Sequence, residues 1–212
     1  MLSKVDRRQY LSEAFHTMSQ PLTGLQCGLE LAVAIPRDPE EYRRRICEAL
    51  EITTRLRHLT AALRELVEAE DVGEDAGRVE IGSMFSALRE KVLALAELHK
   101  ASAEIENCRE LDAYASESKL SRTLLFLLEE VLAENSALSC RARRVNENIE
   151  IIVEDRKATK QKREQQKHWR DQVSAIRMSA AENYIRTLGG ELRRSESRCI
   201  LELPLLSQNR TV

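Results

Sequence analysis

Phe15-His16-Thr17-Met18-Ser19-Gln20-Pro21-Leu22-Thr23 is the stretch on which the reading of the fold turns. Apolar residues recur three or four apart on both sides of it: Leu11, Ala14, Phe15, Met18, Leu22, Leu25, Leu29 and Ala32. That spacing marks one face of a long helix. Pro21 therefore falls inside a helix. There it removes a backbone hydrogen bond and crowds the carbonyl of Thr17, at a cost of about 3 kcal/mol, so a kink is expected one turn after His16. Taken alone, His16 is an ordinary surface or half-buried histidine; the costly proline beside it is what singles it out.

Past a break at Ile35-Pro36-Arg37-Asp38-Pro39, a second stripe runs through Ile46, Ala49, Leu50, Thr53, Leu56, Leu63 and Leu66. Asp38, Pro39 and Glu41 read as an N-cap, a proline at the first helical position and the reciprocal acid of a capping box. The short turn makes the helices antiparallel neighbours. A lone hairpin cannot enclose both stripes, so residues 1–70 are expected to pair with a second copy as a four-helix bundle, a homodimer with Leu11, Met18, Leu22, Leu25, Leu56 and Leu63 in its shared core.

The stretch 71–78 is polar, holds two glycines and reads as a linker. From Val79 the periodicity changes. A strand (79–81), a helix capped by Ser83 and running to about 100, strands near 103–106 and 111–114, and a helix over 118–135 precede a hairpin of 139–145 with 149–154. After the highly charged 156–171 come a helix over 172–188, ended by Gly189, and a hairpin of 191–194 with 199–203. The charged stretch reads as a solvated segment or a docking surface. The fold class is α+β: a two-helix hairpin followed by an α/β sandwich, one helical layer on a mixed or antiparallel sheet, over 79–212.

Composition narrows the function. Of 212 residues 42% are hydrophobic and 32% charged, as in a folded soluble protein. Thirty-three basic against 35 acidic side chains leave a net charge of -2, so no nucleic acid or anionic membrane is expected as a partner. No apolar run approaches the roughly 18 residues of a spanning helix, and MLSKVDRRQY lacks a signal peptide's apolar core; a cytoplasmic location is expected. Five scattered cysteines without a C-x-x-C pair read as reduced, mostly buried thiols. His58, His99 and His168 show no metal-ligand spacing and read as surface residues. Trp169 reads as an exposed contact or an aromatic patch on the sheet. No glycine occurs from Ser83 through Leu188, which excludes a Gly-rich phosphate loop there.

His16 followed by Gln20-Pro21-Leu22-Thr23 resembles the H-box of the two-component histidine kinases, whose hairpin dimerises and carries the phospho-accepting histidine. The likeness extends onward. The helix over 120–136 is placed like that family's asparagine-bearing helix, and Leu188-Gly189-Gly190-Glu191-Leu192 and Leu201-Glu202-Leu203-Pro204-Leu205 are similar to its last helix end and closing strand. The sandwich thus resembles the family's ATP-binding domain. The two asparagines, one of which ligates the Mg²⁺ of ATP, align with Phe126 and Glu130. The Asp-x-Gly-x-Gly and Gly-x-Gly boxes are missing, with Ala175-Ile176-Arg177-Met178 at the second.

By this resemblance His16 is the phospho-acceptor. Thr17 stands where an acidic residue would fix the imidazole and take its proton; its hydroxyl can still orient a ring nitrogen or a water. Gln20 positions a water or serves the kink at Pro21. Phosphoryl transfer needs a nucleophile, an in-line donor and a cation, and the chain supplies the nucleophile alone. The expectation is a dimeric histidine phosphotransfer protein of a phosphorelay. It would exchange phosphate with response-regulator receiver domains, with no cofactor of its own and Mg²⁺ brought by the receiver. A non-catalytic module that binds a receiver or a kinase is the alternative, and an active ATP-dependent histidine kinase the third reading.

Overall fold

The structure is a computed structural model. It describes residues 4–35, 38–106, 108, 110–134, 137–156, 168–195 and 198–206, and for 4–14, 17, 133, 134 and 168–170 the backbone alone. Two long helices, α1 (Lys4–Ala34) and α2 (Pro39–Glu68), open the chain. The Asp38 carboxylate accepts from the Glu41 N–H at 2.8 Å and Pro39 begins the helix, the start read from the sequence. Helix α1 continues through Pro21 without interruption. On either side of the proline, hydroxyls bond back to carbonyls one turn earlier, Ser19 to Phe15 and Thr23 to Ser19.

The hairpin packs as an antiparallel heptad pair. Met18, Pro21, Leu25, Gly28 and Ala32 are half-buried against Tyr42, Arg45, Ala49, Ile52 and Leu56. Phe15, Leu22 and Leu29, seven apart, lie one step off that seam. In an antiparallel pair this flank of α1 adjoins the flank of α2 that carries Ile46 and Leu50. All five are solvent-facing, Phe15 at 63% and Leu50 at 61%. The expected shared core therefore divides: Met18, Leu25, Leu56 and Leu63 are half-buried within the chain, whereas Leu22 is exposed. Leu11 belongs to the residues whose side chains are not described, and a four-helix bundle is not formed by the single chain.

Strand β1 (Ala76–Glu80) begins inside the stretch read as linker and pairs antiparallel with β3 (Asp112–Ser116) as a separate two-stranded sheet. Its pairing partner lies far along the chain, so the local polarity and Gly77 masked it. Helix α3 (Ile81–Leu98) follows directly, with Glu80 and not Ser83 at its N-cap; Ser83 sits in the first turn and donates to the Glu80 carboxylate. Then come β2 (Ser102–Ile105), α4 (Glu117–Glu134), β4 (Ala137–Val145), β5 (Asn148–Asp155), α5 (His168–Thr187), β6 (Glu191–Ser195) and β7 (Arg198–Pro204).

The main sheet has the order β2-β4-β5-β7-β6, parallel at β2/β4 and antiparallel elsewhere. Along β5, Ile149, Ile151 and Val153 point into the core under the helices, while Glu150 and Glu154 point away and pair with Arg143 at 2.7 Å and Arg141 at 2.9 Å. The other face carries cross-strand ion pairs, beneath which Ile152 is buried. Asn146 takes φ 57° in the β4–β5 turn. Gly189, at φ 79°, ends α5, and at Gly190 a Cβ would meet the Glu202 carbonyl oxygen at 2.1 Å, so this turn needs glycine twice.

The hairpin is not set apart from the sandwich. Leu59, Ala62, Leu66 and Ala69 of α2 and its C-cap are buried, and Leu66 and Ala69 join the same core as Phe126, Leu127 and Ile185. Two of the five thiols, Cys27 and Cys47, are exposed on the hairpin, Cys108 is half-buried, and Cys140 and Cys199 are buried. The expectation of mostly buried thiols fails where the hairpin has no neighbour to cover it. Among the described residues no helix is long and apolar enough to cross a membrane.

Candidate functional site

Two places in the fold correspond to the sequence-derived candidates. The first is the middle of α1. His16 is exposed, two residues before Met18 on the seam and so on the side of α1 turned from α2. Gln20 is exposed and Pro21 half-buried against α2. Thr17 lies in the helix with only its backbone described. Counted at 1.5 Å per residue from the turn, His16 and the exposed His58 of α2 stand at the same height, about 28 Å from the tip. Phe15, one of the apolar stripe, is exposed within the chain.

The second place lies between α4 and α5, where the asparagine positions fall. The Phe126 ring is buried in the core, and the guanidinium of Arg177 on α5 covers it, 4.5 Å from the ring centre. That guanidinium also donates to Glu65 on α2 at 2.9 Å and to Glu129 at 3.4 Å. One turn beyond Phe126, the Glu130 carboxylate accepts from the Ser174 hydroxyl. These residues do not fit a nucleotide-bound Mg²⁺: an arene offers no lone pair, and one already bonded carboxylate is a poor site for a hard cation. Among the described residues no group of three or more His, Cys, Asp or Glu could hold a metal ion.

A small cleft, open to solvent, remains between the helices. Its walls include Glu68, Lys119, Arg122 and Tyr184, and charge pairing fills much of its polar demand. Lys119 bonds Asp71 at 2.7 Å and the Glu68 carbonyl at 2.8 Å, and Arg122 meets the Glu68 carboxylate at 3.1 Å. Hydrogen bonds from Arg64, then Arg122, hold Glu68 below the usual carboxylate range, and the Lys119 ammonium does the same for Asp71. Burial pushes the Tyr184 phenol up to about 12, partly offset by its hydrogen bonds to the Ser116 backbone.

Sequence reasoning missed several of these residues. Arg177 was legible only as something other than glycine; its partner Glu65, 112 positions earlier, carries no local mark. Lys119 and Tyr184 were equally silent. At the end of β5, Asp155 is buried, and nothing in its local sequence had singled it out. Of the other histidines, His99 is exposed like His58; the side chains of His168 and Trp169, and residues 157–167, lie outside the described set.

No protein-family model matches the chain, and no curated protein matches it. Solved structures do. The Acinetobacter baumannii histidine kinase AdeS superposes with a TM-score of 0.62 at 17% identity, over 91% of this chain and 98% of that one. Full-length ShkA in complex with AMPPNP superposes with a TM-score of 0.61 at 11% identity, over 94% of this chain. The chain spans 46% of the ShkA chain's length. The fold is therefore histidine-kinase-like, a mixed α+β arrangement in which hairpin and sandwich both have counterparts.

Proposed function

We propose that the protein acts in two-component signalling as a dimeric histidine phosphotransfer protein, exchanging a phosphoryl group between His16 and receiver-domain aspartates without using ATP. The observation that carries this reading is the pairing of an exposed His16 on a kinase-like hairpin with a Phe126–Arg177 stack where nucleotide ligands would be needed. The occupant of the exposed flank of Phe15, Leu22, Leu29, Ile46 and Leu50 is a second copy of the chain. Its apolar strip is self-complementary about a two-fold axis along the bundle, and burying each such side chain stabilises by about 1.5–3 kcal/mol.

In the transfer a lone pair of the His16 imidazole attacks the phosphorus of an aspartyl phosphate. The phosphorus–oxygen bond to the carboxyl group breaks, its electron pair leaves on the restored carboxylate, and the phosphoryl group ends on the ring nitrogen; the reverse step returns it. A Mg²⁺ held by the receiver's own carboxylates would supply the positive charge on the phosphoryl oxygens. Gln20, exposed one turn after His16, would hydrogen-bond the incoming group or a water.

Incubation with phosphorylated receivers tests the reading. An acid-labile, alkali-stable label is expected on the wild type and none on His16→Gln, with receiver binding retained. Thr17 in the place of an acidic residue favours a second reading, a non-catalytic receiver- or kinase-binding module. Binding without any label on His16 establishes that reading in place of the first.

A further inference from the structure

We infer that the α4–α5 face of the sandwich is a receptacle for the hairpin's own second helix, and that an ion-pair latch centred on Arg177 locks hairpin and sandwich into one rigid body. Three independent ties converge on the last two turns of α2 and its exit. Arg177 of α5 donates to Glu65 at 2.9 Å while stacked on Phe126. Arg122 of α4 meets Glu68 at 3.1 Å. At the helix end, where α-helical carbonyls lack intrahelical partners, the sandwich supplies the cap: Lys119 donates to the Glu68 carbonyl at 2.8 Å and the Thr187 hydroxyl to the Ala69 carbonyl at 3.2 Å.

Burial makes the ties coherent. Arg177 and Glu65 keep only 24% and 21% of their side-chain surface exposed, and Lys119 only 17%, so these charges are screened far less than surface pairs. Between them Leu66 and Ala69 enter the sandwich core. A hinge needs backbone free of such anchors; here Asp71 is held by Lys119, and Asp75 by the Ser118 hydroxyl at 3.0 Å, so the connection to β1 is fastened at both ends.

An arene at 126 offers the face on which a guanidinium stacks, and an arginine at 177 bridges that face to an acid on the stem. Glu65 stands about 10 Å further along α2 than the height of His16. Whatever docks at His16 therefore meets the sandwich at a fixed offset. The inference holds whether or not His16 accepts phosphate.

Pulsed electron–electron resonance on the full chain tests it, with nitroxides at Glu51→Cys on α2 and Glu97→Cys on α3, Cys27 and Cys47 replaced by serine, and labelled chains diluted into unlabelled ones. One narrow distance distribution is expected. Glu65→Arg should broaden it at least twofold in width without lowering the sandwich's thermal transition, and Glu65→Arg with Arg177→Glu should narrow it again. If the double variant fails to fold, Glu65→Gln with Asp71→Asn, both on the hairpin side, should broaden the distribution in its place. A broad distribution in the parent protein, or an unchanged narrow one in both hairpin-side variants, overturns the latch. Phosphotransfer to His16 is a separate readout and decides neither outcome.

Discussion

Arg177 and Phe126 form a stacked pair with the guanidinium 4.5 Å from the ring centre, and through Glu65 the same guanidinium ties three helices together. The ring is both core and platform. Phe126→Ala removes buried apolar volume and leaves Arg177 without its stacking surface, so a loss of about 3–5 kcal/mol in folding stability is expected. Urea titration measures it. A loss under about 1 kcal/mol would show that the site collapses around the gap and that the stack contributes little.

Nucleotide should not bind. The chain has an arene at 126, a serine-bonded carboxylate at 130 and no glycine from Ser83 through Leu188, so a glycine-rich loop to cradle a triphosphate is not available there. Isothermal calorimetry at millimolar Mg-ATP is expected to show no saturable heat, and Phe126→Asn with Glu130→Asn should not create it. Saturable binding by the wild type would move the active-kinase reading from third place to first.

What the sequence disclosed follows from how far each signal reaches along the chain. Local devices were legible: the Asp38–Pro39 start of α2, the Asn146 turn and the Gly189 stop each act within four residues. Long-range pairings were not. Strand β1 pairs with β3 32 to 40 positions away, so Ala76 to Arg78 passed for linker. The latch at Arg177 needs Glu65, and the division of the hairpin's apolar residues into seam and flank needs the register of α1 against α2. His16, by contrast, was singled out by a proline one turn away, a signal that lies wholly in local backbone chemistry.

The exposed flank predicts where assembly can be broken. Leu22→Asp or Leu50→Asp would bury an unpaired charge between copies, at a cost of several kcal/mol, so dissociation constants should rise at least about 100-fold and the chain should elute as a monomer at micromolar concentration. Leu93→Asp, at an exposed leucine on α3, is the control and should leave assembly unchanged. Light scattering that finds the wild type monomeric would end the dimer proposal.

Acid should loosen the exit of α2 before it melts the sheet. Glu68, Asp71 and Asp75 are all held below their ordinary values of 4.5, 3.8 and 3.8, by Arg64 and Arg122, by Lys119, and by the Ser116 and Ser118 hydroxyls respectively. Carboxyl groups lowered on folding contribute stability above the unfolded-state values, and that contribution is lost as pH falls through the lowered ones. Stability should therefore drop from about pH 5 downward, and Asp71→Asn with Asp75→Asn should flatten that slope. Hydrogen exchange at the Ala69 and Ala76 amides reports the local opening. An unchanged acid slope in the double variant would assign it to other carboxylates.

Tyr184 offers the converse test at high pH. Its hydroxyl accepts from the Ser116 N–H at 3.0 Å and donates to the Ser116 carbonyl at 3.2 Å, joining α5 to the end of β3, and its ring lies in the core. Tyr184→Phe keeps the ring and leaves the buried Ser116 N–H without its acceptor, so a loss of about 1–3 kcal/mol is expected at neutral pH. Burial raises the phenol from its ordinary 10 to about 12. A group whose proton is held more tightly in the fold contributes stability that is complete below pH 10 and disappears as pH rises from 10 toward 12. The gap between wild type and Tyr184→Phe should accordingly be constant from pH 7 to 9 and shrink above 10. Parallel melting curves for the two proteins across that alkaline range would place Tyr184 outside the hydrogen-bonded core and remove the tie between α5 and β3.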